Sequence, residues 1–405
     1  MKKGLFCLSF LFFLVSCSSD KKENDQLLTI SIEEASKDDM SFLESIKVVP
    51  LETLDTELVK IPQSFQPIKS EKGKYLLFDT NQTVFLFDEA GKFVSSSQHC
   101  RGEGPKEYIT ASDVLYNPYH DLIEIYDPNN GGSIISYDAN FNFQRKIKLG
   151  HEKGFTAQIV SALDSCLYAL EPVRLKESDL YLTLFEHNEN GESHQVNVPC
   201  CKEGYVAPLN MMQKVFTQTD AALYYSPDYM DYHFYQFDVE NRTFTPVCRL
   251  DVGDEEVTRK KLDAQYDEAS FTDVVKNQDI ISRKNTYLLS SAYMLPIIRL
   301  INDSYIYVHL ISDRKPYDYV YDRRSGKGFW VTPDCPVSFY RCFAMQDNVL
   351  YTLLYPYELE KYITEEHRKY MTDDTWNLLR HIEEEDNPVV VEYHLKTCSG
   401  IHKNR

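Results

Sequence analysis

Carboxylate and amide side chains recur where predicted strands end, and they are the residues best suited to bind a cation. The set is Asp79, Asn81, Asp127, Asn129 and Asp228. Oxygen atoms of this kind are the ligands that calcium takes, so the set could hold a calcium ion. No other cofactor is predicted. An aspartate at a strand end also caps the following turn through its own backbone, which gives each of them a structural alternative.

A second candidate set lies in the loop 101–108, which reads Arg-Gly-Glu-Gly-Pro-Lys-Glu-Tyr. Binding residues are often carried by loops on a rigid scaffold, so Arg101, Glu103, Glu107 and Tyr108 are ligand-binding candidates. The two glycines permit unusual backbone angles. In the alternative interpretation the loop is structural, and Arg101 pairs with Glu107.

Recognised catalytic motifs are absent from the sequence. It has no G-x-S-x-G, no H-E-x-x-H and no phosphate-binding glycine loop. The cysteines form no C-x-x-C pair, and Cys335 and Cys342 are either a candidate disulfide or buried free thiols. These absences favour a binding protein over an enzyme. A pair of carboxylates could still support hydrolysis of a glycoside.

The N-terminus has the form of an export signal. Met1-Lys2-Lys3 precedes an apolar run that ends in Leu-Val-Ser before Cys17. The run is shorter than the roughly 20 residues that span a bilayer. We therefore predict a signal peptide over residues 1–16 and lipid on Cys17. An ordinary signal peptide with an incidental cysteine is the alternative.

The segment after this cysteine is polar, and we predict a flexible tether over residues 17–43. The protein would then be exported and anchored in the bacterial outer membrane, on its periplasmic or its surface side. The net charge of −19 argues against nucleic acid as a partner. The predicted partners are the membrane, through the lipid, and an unidentified small molecule, glycan or protein.

One unit recurs six times along the chain: an alternating apolar strand, an acidic or histidine marker, a turn and a second strand. The first four markers are 50, 49 and 51 residues apart, and the last two intervals are longer. The markers are Asp88, Asp138, His187, Asp238, Asp322 and His394. Each unit is preceded by another strand and by a weaker one. A period near 50 with about four strands is typical of a propeller blade.

We therefore predict an all-β, six-bladed β-propeller over residues 44–405. Helical insertions at about 254–284 and 357–386 account for the two long intervals. A pair of β-sandwiches is the rival fold, but it would not repeat one hairpin at one period. The last unit lacks a fourth strand, and the segment Ile46–Glu52 could supply it and close the ring.

Four segments carry a resemblance to a known family. They are the Leu-Val-Ser-Cys motif at Cys17, the segments Val48–Thr53 and Glu385–Val389, and above all the loop 101–108. With these segments the chain resembles the six-bladed β-propeller lipoproteins of gut-type Gram-negative bacteria, whose blades are similar to NHL and TolB propellers. The family usually carries a small residue where Lys106 stands. The resemblance implies a fold and an envelope location, and no activity.

Propeller topology predicts where a site would lie. The loop 101–108, the strand-end aspartates and both helical insertions would share one mouth of the central channel. A capped, concave, polar mouth suits ligand binding, and Tyr225, Tyr229 and Tyr232 could either stack on a ligand there or pack a lid. Two functions are carried forward: a membrane-anchored protein that binds a ligand or partner on this capped face, or a calcium-dependent hydrolase or lactonase acting in the channel.

Overall fold

Alternating apolar residues form the strands, and the strands assemble into an all-β propeller. The computed structural model describes residues 27–54, 59, 64–70, 72–80, 82–149, 158–161, 167–170, 181–186, 193–197, 214–219, 222–227, 231–258, 261 and 286–397. The strands are β1 Leu28–Ser31, β2 Ser36–Lys37, β3 Leu43–Pro50, β4 Ser64–Ser70, β5 Gly73–Thr80, β6 Thr83–Asp88, β7 Phe93–Ser96, β8 Asp113–Asn117, β9 Leu122–Asp127, β10 Ser133–Tyr137, β11 Phe143–Lys148, β12 Ile159–Ser161, β13 Leu167–Leu170, β14 Tyr181–Glu186, β15 Ser193–Asn197, β16 Phe216–Gln218, β17 Leu223–Tyr225, β18 His233–Asp238, β19 Thr243–Asp251, β20 Leu295–Ile301, β21 Tyr305–Ser312, β22 Lys315–Asp322, β23 Lys327–Val331, β24 Ala344–Gln346, β25 Val349–Leu354 and β26 Val389–Leu395.

These strands form separate sheets that follow one another along the chain. Sheet 1 holds β4 to β7, sheet 2 holds β8 to β11 and sheet 3 holds β12 to β15. Sheet 4 holds β16 to β19 with β1 on its outer edge, and sheet 5 holds β20 to β23 with β2 on its outer edge. Sheet 6 holds β24, β25, β26 and then β3. Within each sheet we count the strands from the first, which lies at the channel, outward.

The blades are not described equally. Most turns of five sheets are described, whereas sheet 3 is described only along its four strands and the residue before them. The predicted propeller is therefore confirmed as an all-β propeller. Of the six predicted blades, the structure describes five with most of their turns. Of the remaining sheet it describes only the strands and the residue before them.

The predicted marker hairpins join the third and fourth strands, and carboxylates of the markers hold them. Asp88 accepts hydrogen bonds at 2.9 Å from the backbone N–H groups of Ala90 and Lys92. Asp138 does the same for Asn140 and Asn142. A short side-chain acceptor at the start of a turn satisfies N–H groups that the strand ladder leaves open. Because these turns need such a residue at a fixed place, the repeat can be recognised in the sequence.

The first strands surround the channel. β4 packs beside β8 and β24, β8 beside β12, and β20 beside β24. Aromatic rings fill the space between neighbouring sheets: Phe65 of sheet 1 lies 5.6 Å from Phe343 and 5.8 Å from Tyr351 of sheet 6, measured between ring centroids. This burial of apolar area between sheets is the main favourable free-energy contribution to folding.

The predicted ring closure is confirmed. β3 pairs antiparallel with β26 from Leu43 opposite Leu395 to Pro50 opposite Val389, and so it supplies the fourth strand of sheet 6. β3 comes from the N-terminal part of the chain and β26 from the C-terminal part. The pairing therefore joins the beginning of the propeller to its end.

Buried hydrogen bonds reinforce this closure. Asn387 accepts a bond of 2.8 Å from the backbone N–H of Val59 and donates one of 2.8 Å to the backbone oxygen of Glu52. The Thr53 hydroxyl accepts from the Asn387 backbone N–H at 2.9 Å. Two of the segments that carry the family resemblance, Val48–Thr53 and Glu385–Val389, therefore meet each other here.

The chain before β3 is more ordered than predicted. Residues 17–43 were expected to be a tether, but β1 pairs in parallel with β19 and β2 pairs in parallel with β23. Asp38 then accepts two hydrogen bonds, at 2.8 and 3.0 Å, from the backbone N–H and hydroxyl of Thr332. The reason is that the outer edges of sheets 4 and 5 offer unpaired backbone groups, which a passing strand satisfies. Residues 1–26, with Cys17, lie outside the described residues.

The second helical insertion is confirmed. Helices α1 (Pro356–Tyr362) and α2 (Asp373–Leu378) and the 3-10 segments Glu365–Tyr370 and Leu379–His381 connect β25 to β26. The segment Glu365–Tyr370 and α2 pack against β3, so this insertion also covers the closing strand. Most of the first insertion, 254–284, lies outside the described residues. The other 3-10 segments are Gln98–Cys100 and Gly253–Glu255.

Two further findings concern the cysteines and the membrane. Cys335 and Cys342 are buried and are both free, so the candidate disulfide between them is not formed. The Cys335 thiol instead donates to the backbone oxygen of Val337 at 3.2 Å. Across the described part of the chain, no helix has the length and apolar character needed to cross a membrane.

The closure hydrogen bonds give a first prediction. The change Asn387→Ala leaves the buried N–H of Val59 without its partner, so we expect the free energy of unfolding to fall by about 2 kcal/mol. Urea unfolding would measure it. The control is Asn377→Ala on the exposed surface of α2, for which the expected change is within about 0.5 kcal/mol. Equal stabilities of the two variants would contradict the role assigned to Asn387.

Candidate functional site

A cavity of about 540 Å³ lies along the channel, and all six sheets contribute to its wall. It passes the first strands and reaches the hairpins that join first to second strands, which we call the hairpin end. The other end, where the chain enters each first strand, is the crossover end. Polar wall residues are Gln66, Tyr116, Ser161, Thr217 and Gln346, each from a different sheet, and Asn302, which directly follows β20 of sheet 5.

A lysine from one sheet reaches across to another near the crossover end. Lys214, just before β16 of sheet 4, donates to the Asp113 carboxylate and, at 2.9 Å, to the backbone oxygen of Val114 in sheet 2. The other carboxylate oxygen of Asp113 accepts from the Ile159 backbone N–H of sheet 3 at 2.6 Å. Three consecutive sheets are thus tied together where Lys214 lines the cavity.

Asp79, one of the predicted candidates, lies close to this ion pair. It is 3% exposed, and its Oδ1 atom has no hydrogen-bond partner in the described part of the chain. Its pKa is raised to about 7, mainly by burial; Lys214 opposes this shift and the charge of Asp113 adds to it. Asp79 is therefore a buried acid that titrates near neutral pH, which the sequence did not predict.

The loop 101–108 is held mainly by its own bonds. The Glu107 carboxylate accepts from the Gly104 backbone N–H at 2.9 Å, and the backbone of Gly102 donates to the Tyr108 carbonyl at 3.0 Å. A Cβ atom on Gly102 would lie 2.0 Å from the Glu107 carboxylate, so a larger residue at this position would require the Glu107 side chain to move. Arg101 and Glu103 are exposed on the same loop.

Tyr108 has a structural position. It is completely buried, and its hydroxyl bonds to the Ser97 hydroxyl at 2.5 Å and to the backbone oxygen of Gln82 at 2.8 Å. Burial raises the pKa of this phenol well above its ordinary value. A ligand could touch Tyr108 only if the loop moved, so Arg101 and Glu103 are the accessible candidates of this set.

Asp127 caps a turn. It is fully buried, and its carboxylate oxygens accept backbone N–H groups of Ile109 at 2.7 Å and Asn129 at 2.9 Å. Among the residues that the structure describes, no three of His, Cys, Asp or Glu come together in a way that could hold a metal ion. Asn81 and Asp228, which complete the calcium set, lie outside the described residues.

The tyrosines of the predicted lid are packing residues where they are described. Tyr225 is fully buried, and its ring centroid lies 5.1 Å from that of Phe216. Tyr232 is 4% exposed; its hydroxyl donates to the backbone oxygen of Met294 at 2.8 Å and accepts from the Val257 N–H at 3.0 Å. Tyr229 lies outside the described residues.

The cavity wall was not predicted from the sequence. Among the candidates that are described, Asp79, Arg101, Glu103, Glu107, Tyr108 and Asp127, none lines the cavity. The wall belongs to the first strand of each blade, which was the weakest strand of the repeat; β12, β16 and β24 have three residues each. The marker hairpins were the signal that could have located this wall, because the first strand of a blade lies two strands before the third strand, at which the hairpin begins.

A family profile described as "Domain of unknown function (DUF4934)" matches residues 27–394. Among solved structures, the chain is similar to a protein of Bacteroides fragilis NCTC 9343 that is provisionally described as exported. The two are 16% identical, the similarity covers 92% of this chain and 100% of the other, and the TM-score is 0.65. At this identity the likeness shows the propeller fold alone.

Other solved structures are more distant. A protein of Agrobacterium tumefaciens provisionally described as TolB is 11% identical over 73% of this chain and 95% of its own, with a TM-score of 0.35. A luciferin-regenerating enzyme is 9% identical over 88% of this chain and 98% of its own, with a TM-score of 0.41. A search of curated proteins finds none that matches the chain.

The buried acid gives a second prediction. The folded protein holds a proton on Asp79 up to about pH 7, whereas an unfolded aspartate loses it near pH 3.8. Stability from this group is therefore lost as pH rises towards 7. The change Asp79→Asn should raise stability relative to wild type by about 2 kcal/mol more at pH 8 than at pH 5.5.

Chemical denaturation at the two pH values measures this difference. Asp138→Asn is the control, because that half-buried carboxylate accepts turn hydrogen bonds that lower its pKa. The control should show no such gain at pH 8. An Asp79→Asn effect that is the same at both pH values would contradict a buried acid that titrates near neutrality.

Proposed function

Since the chain belongs to the DUF4934 family, whose function is unknown, we propose from its geometry that it is an exported, lipid-anchored β-propeller that binds a small ligand in its channel. The observation that carries this proposal is the cavity of about 540 Å³ with wall residues from all six sheets. Ligand sites for small molecules in proteins are commonly about 300–1,000 Å³ and mix apolar walls with a few polar groups. The channel has both properties.

The channel is favoured over the capped face. In the loop 101–108, the carboxylate of Glu107 bonds within the loop and the hydroxyl of Tyr108 bonds to Ser97 and Gln82, so both are already used by the fold. The cavity, in contrast, holds polar groups that have no partner among the described residues, as with the hydroxyl of Ser161. Arg101 and Glu103 remain candidates for contacts with a partner at the crossover end.

We also propose that the ring has six blades, one for each sheet. The regular order of the sheets along the chain supports this, because each first strand is followed by its second, third and fourth strands in sequence, and β3 completes the last sheet. The walls of the cavity support it as well, since each sheet contributes to them.

Export and anchoring rest on the N-terminal sequence. The charged start, the short apolar run and Cys17 support a lipid-anchored protein of the outer membrane. The Bacteroides fragilis relative, provisionally described as exported, is in keeping with this location. A lipid anchor would hold the cavity close to a membrane, where a binding protein could collect a ligand or pass it on.

The anchor gives a third prediction. With Cys17→Ser no thiol remains to be acylated, so the protein should move from the membrane fraction to the soluble fraction and take up no labelled fatty acid. Cys100→Ser is the control, because that cysteine is buried in the propeller and should not affect labelling. Equal fatty-acid labelling of wild type and Cys17→Ser would rule out this anchor.

The channel site gives a fourth prediction. Thr217 is half-buried on the cavity wall, and Thr217→Trp should fill part of the space. We expect binding of the uncharged dye Nile red, followed by fluorescence, to weaken at least about tenfold, the loss of roughly 1.4 kcal/mol of binding free energy.

The control is Thr245→Trp, which places the same side chain on the exposed outer strand β19 of the same sheet. It should leave dye binding unchanged. If both variants bind the dye as wild type does, the dye does not enter the channel and the proposed site is wrong.

A further inference from the structure

The charged side chains that line the cavity already have partners within the protein. Lys214 is bonded to Asp113, and Lys69 lies 3.8 Å from the carboxylate of Asp347. Asp303 accepts hydrogen bonds from the hydroxyls of Tyr224 at 3.1 Å and Thr219 at 3.3 Å. Both lysines of the lining are therefore already paired with carboxylates, whereas the described partners of Asp303 are neutral hydroxyls.

The polar groups that remain are neutral. Gln66 accepts the Tyr116 backbone N–H at 3.1 Å through Oε1, which leaves its amide NH₂ for another acceptor. The side chains of Thr217 and Gln346 line the cavity with no hydrogen bond described in this part of the structure. The hydroxyl of Thr217 and the amides of Gln66 and Gln346 can each donate and accept hydrogen bonds.

Among these neutral groups, Ser161 gives the strongest indication of a ligand. It lines the cavity, it is 2% exposed, and its hydroxyl has no hydrogen-bond partner within the described residues. A buried polar group without a partner costs about 1–3 kcal/mol, and such groups are rare in native proteins. Because this oxygen has almost no exposed surface, a ligand hydroxyl could satisfy it only after the Ser161 side chain turns towards the cavity.

The rest of the wall is apolar and aromatic. Phe65, Phe216 and Phe343 line the cavity on three different sheets. A ligand that suits this wall has polar groups on its edge, apolar C–H faces and no negative charge. An anionic ligand would lose its hydration and find only lysines that are already paired with carboxylates.

We propose that the cavity binds a neutral saccharide of one or two rings. A sugar ring has hydroxyls around its edge and C–H groups on its faces, which matches neutral amides and hydroxyls set between aromatic rings. This inference rests on the proposed function, since it names the ligand class of the same channel. It makes Ser161, Gln66 and Thr217 ligand-binding residues.

The first test is a set of matched sugars. Isothermal titration of the purified full-length protein would compare glucose, galactose, N-acetylglucosamine, maltose, cellobiose and lactose with the charged analogues glucuronate and glucosamine. We expect at least one neutral sugar to bind, and to bind about tenfold or more tightly than its charged counterpart. The proposal is overturned if no neutral sugar binds at about 10 mM, or if a charged analogue or a blocked neutral dipeptide binds more tightly.

The second test uses Ser161→Ala. Because the hydroxyl has no partner in the described structure, its removal should leave the melting temperature unchanged or raise it, while the affinity for the best neutral sugar falls about tenfold. Ser45→Ala is the control: this half-buried serine of β3 does not line the cavity and should not change the affinity. A Ser161→Ala protein with lower stability and unchanged affinity would show a structural hydroxyl and overturn the proposal.

The dye experiment separates the two proposals. If Thr217→Trp prevents dye binding but no sugar binds the wild type, the channel still binds ligands and the saccharide class is wrong. If the dye binding is also unaffected, the channel site itself is wrong.

Discussion

The pairing of β3 with β26 is the interaction on which the rest of the structure depends. The other sheets are built from strands that follow one another directly, apart from the added edge strands β1 and β2, whereas sheet 6 needs a strand from the far end of the chain. Until that strand docks, sheet 6 has an open edge and the first strands are not held in a ring. A channel with walls from every sheet exists only when the closure is complete.

The structure protects this pairing with side chains that contribute nothing to the ladder itself. Glu52, just after β3, accepts the backbone N–H of Phe93 at 2.9 Å and lies 3.3 Å from the ammonium of Lys92, and both bonds lower the pKa of its carboxyl. Its own backbone N–H donates to the carbonyl of Gly91 at 2.7 Å. At Gly91 φ is +81°, and a Cβ atom would lie 2.1 Å from the Pro50 oxygen. The hairpin of the first blade can therefore approach the last blade only with glycine at this position.

The features that could be predicted from the sequence are those that depend on local chemistry or on the repeat itself. The marker hairpins were found because Asp88 and Asp138 satisfy the turns that follow them, and the closing strand was found because the last repeat lacked one. The cavity was not found, because its wall comes from short first strands whose residues are ordinary amides, hydroxyls and aromatic rings. Ser161 and Gln66 become candidates only when the ring brings their strands together.

The same distinction explains the candidates that turned out to be structural. Asp127 and Tyr108 are the kinds of residue that bind ligands, but their polar atoms are consumed by Ile109, Asn129, Ser97 and Gln82. Residue type reports what chemistry a side chain can do, and only the partners show whether that capacity is already used. Asp79 is the opposite case, since its burial and its vicinity to Asp113 give a common residue an uncommon pKa, although Lys214 opposes the shift.

The N-terminal strands β1 and β2 have a mechanical consequence. They lie on the outer edges of sheets 4 and 5, ahead of β3 in the chain. A pull on the chain before Leu28 must peel β1 from β19, and then β2 from β23, before any tension reaches the strand that closes the ring. A force applied to the N-terminal segment is thus borne first by these two short strands, at the outer edge of the propeller. The pairing of β3 with β26 carries no load until both strands have detached.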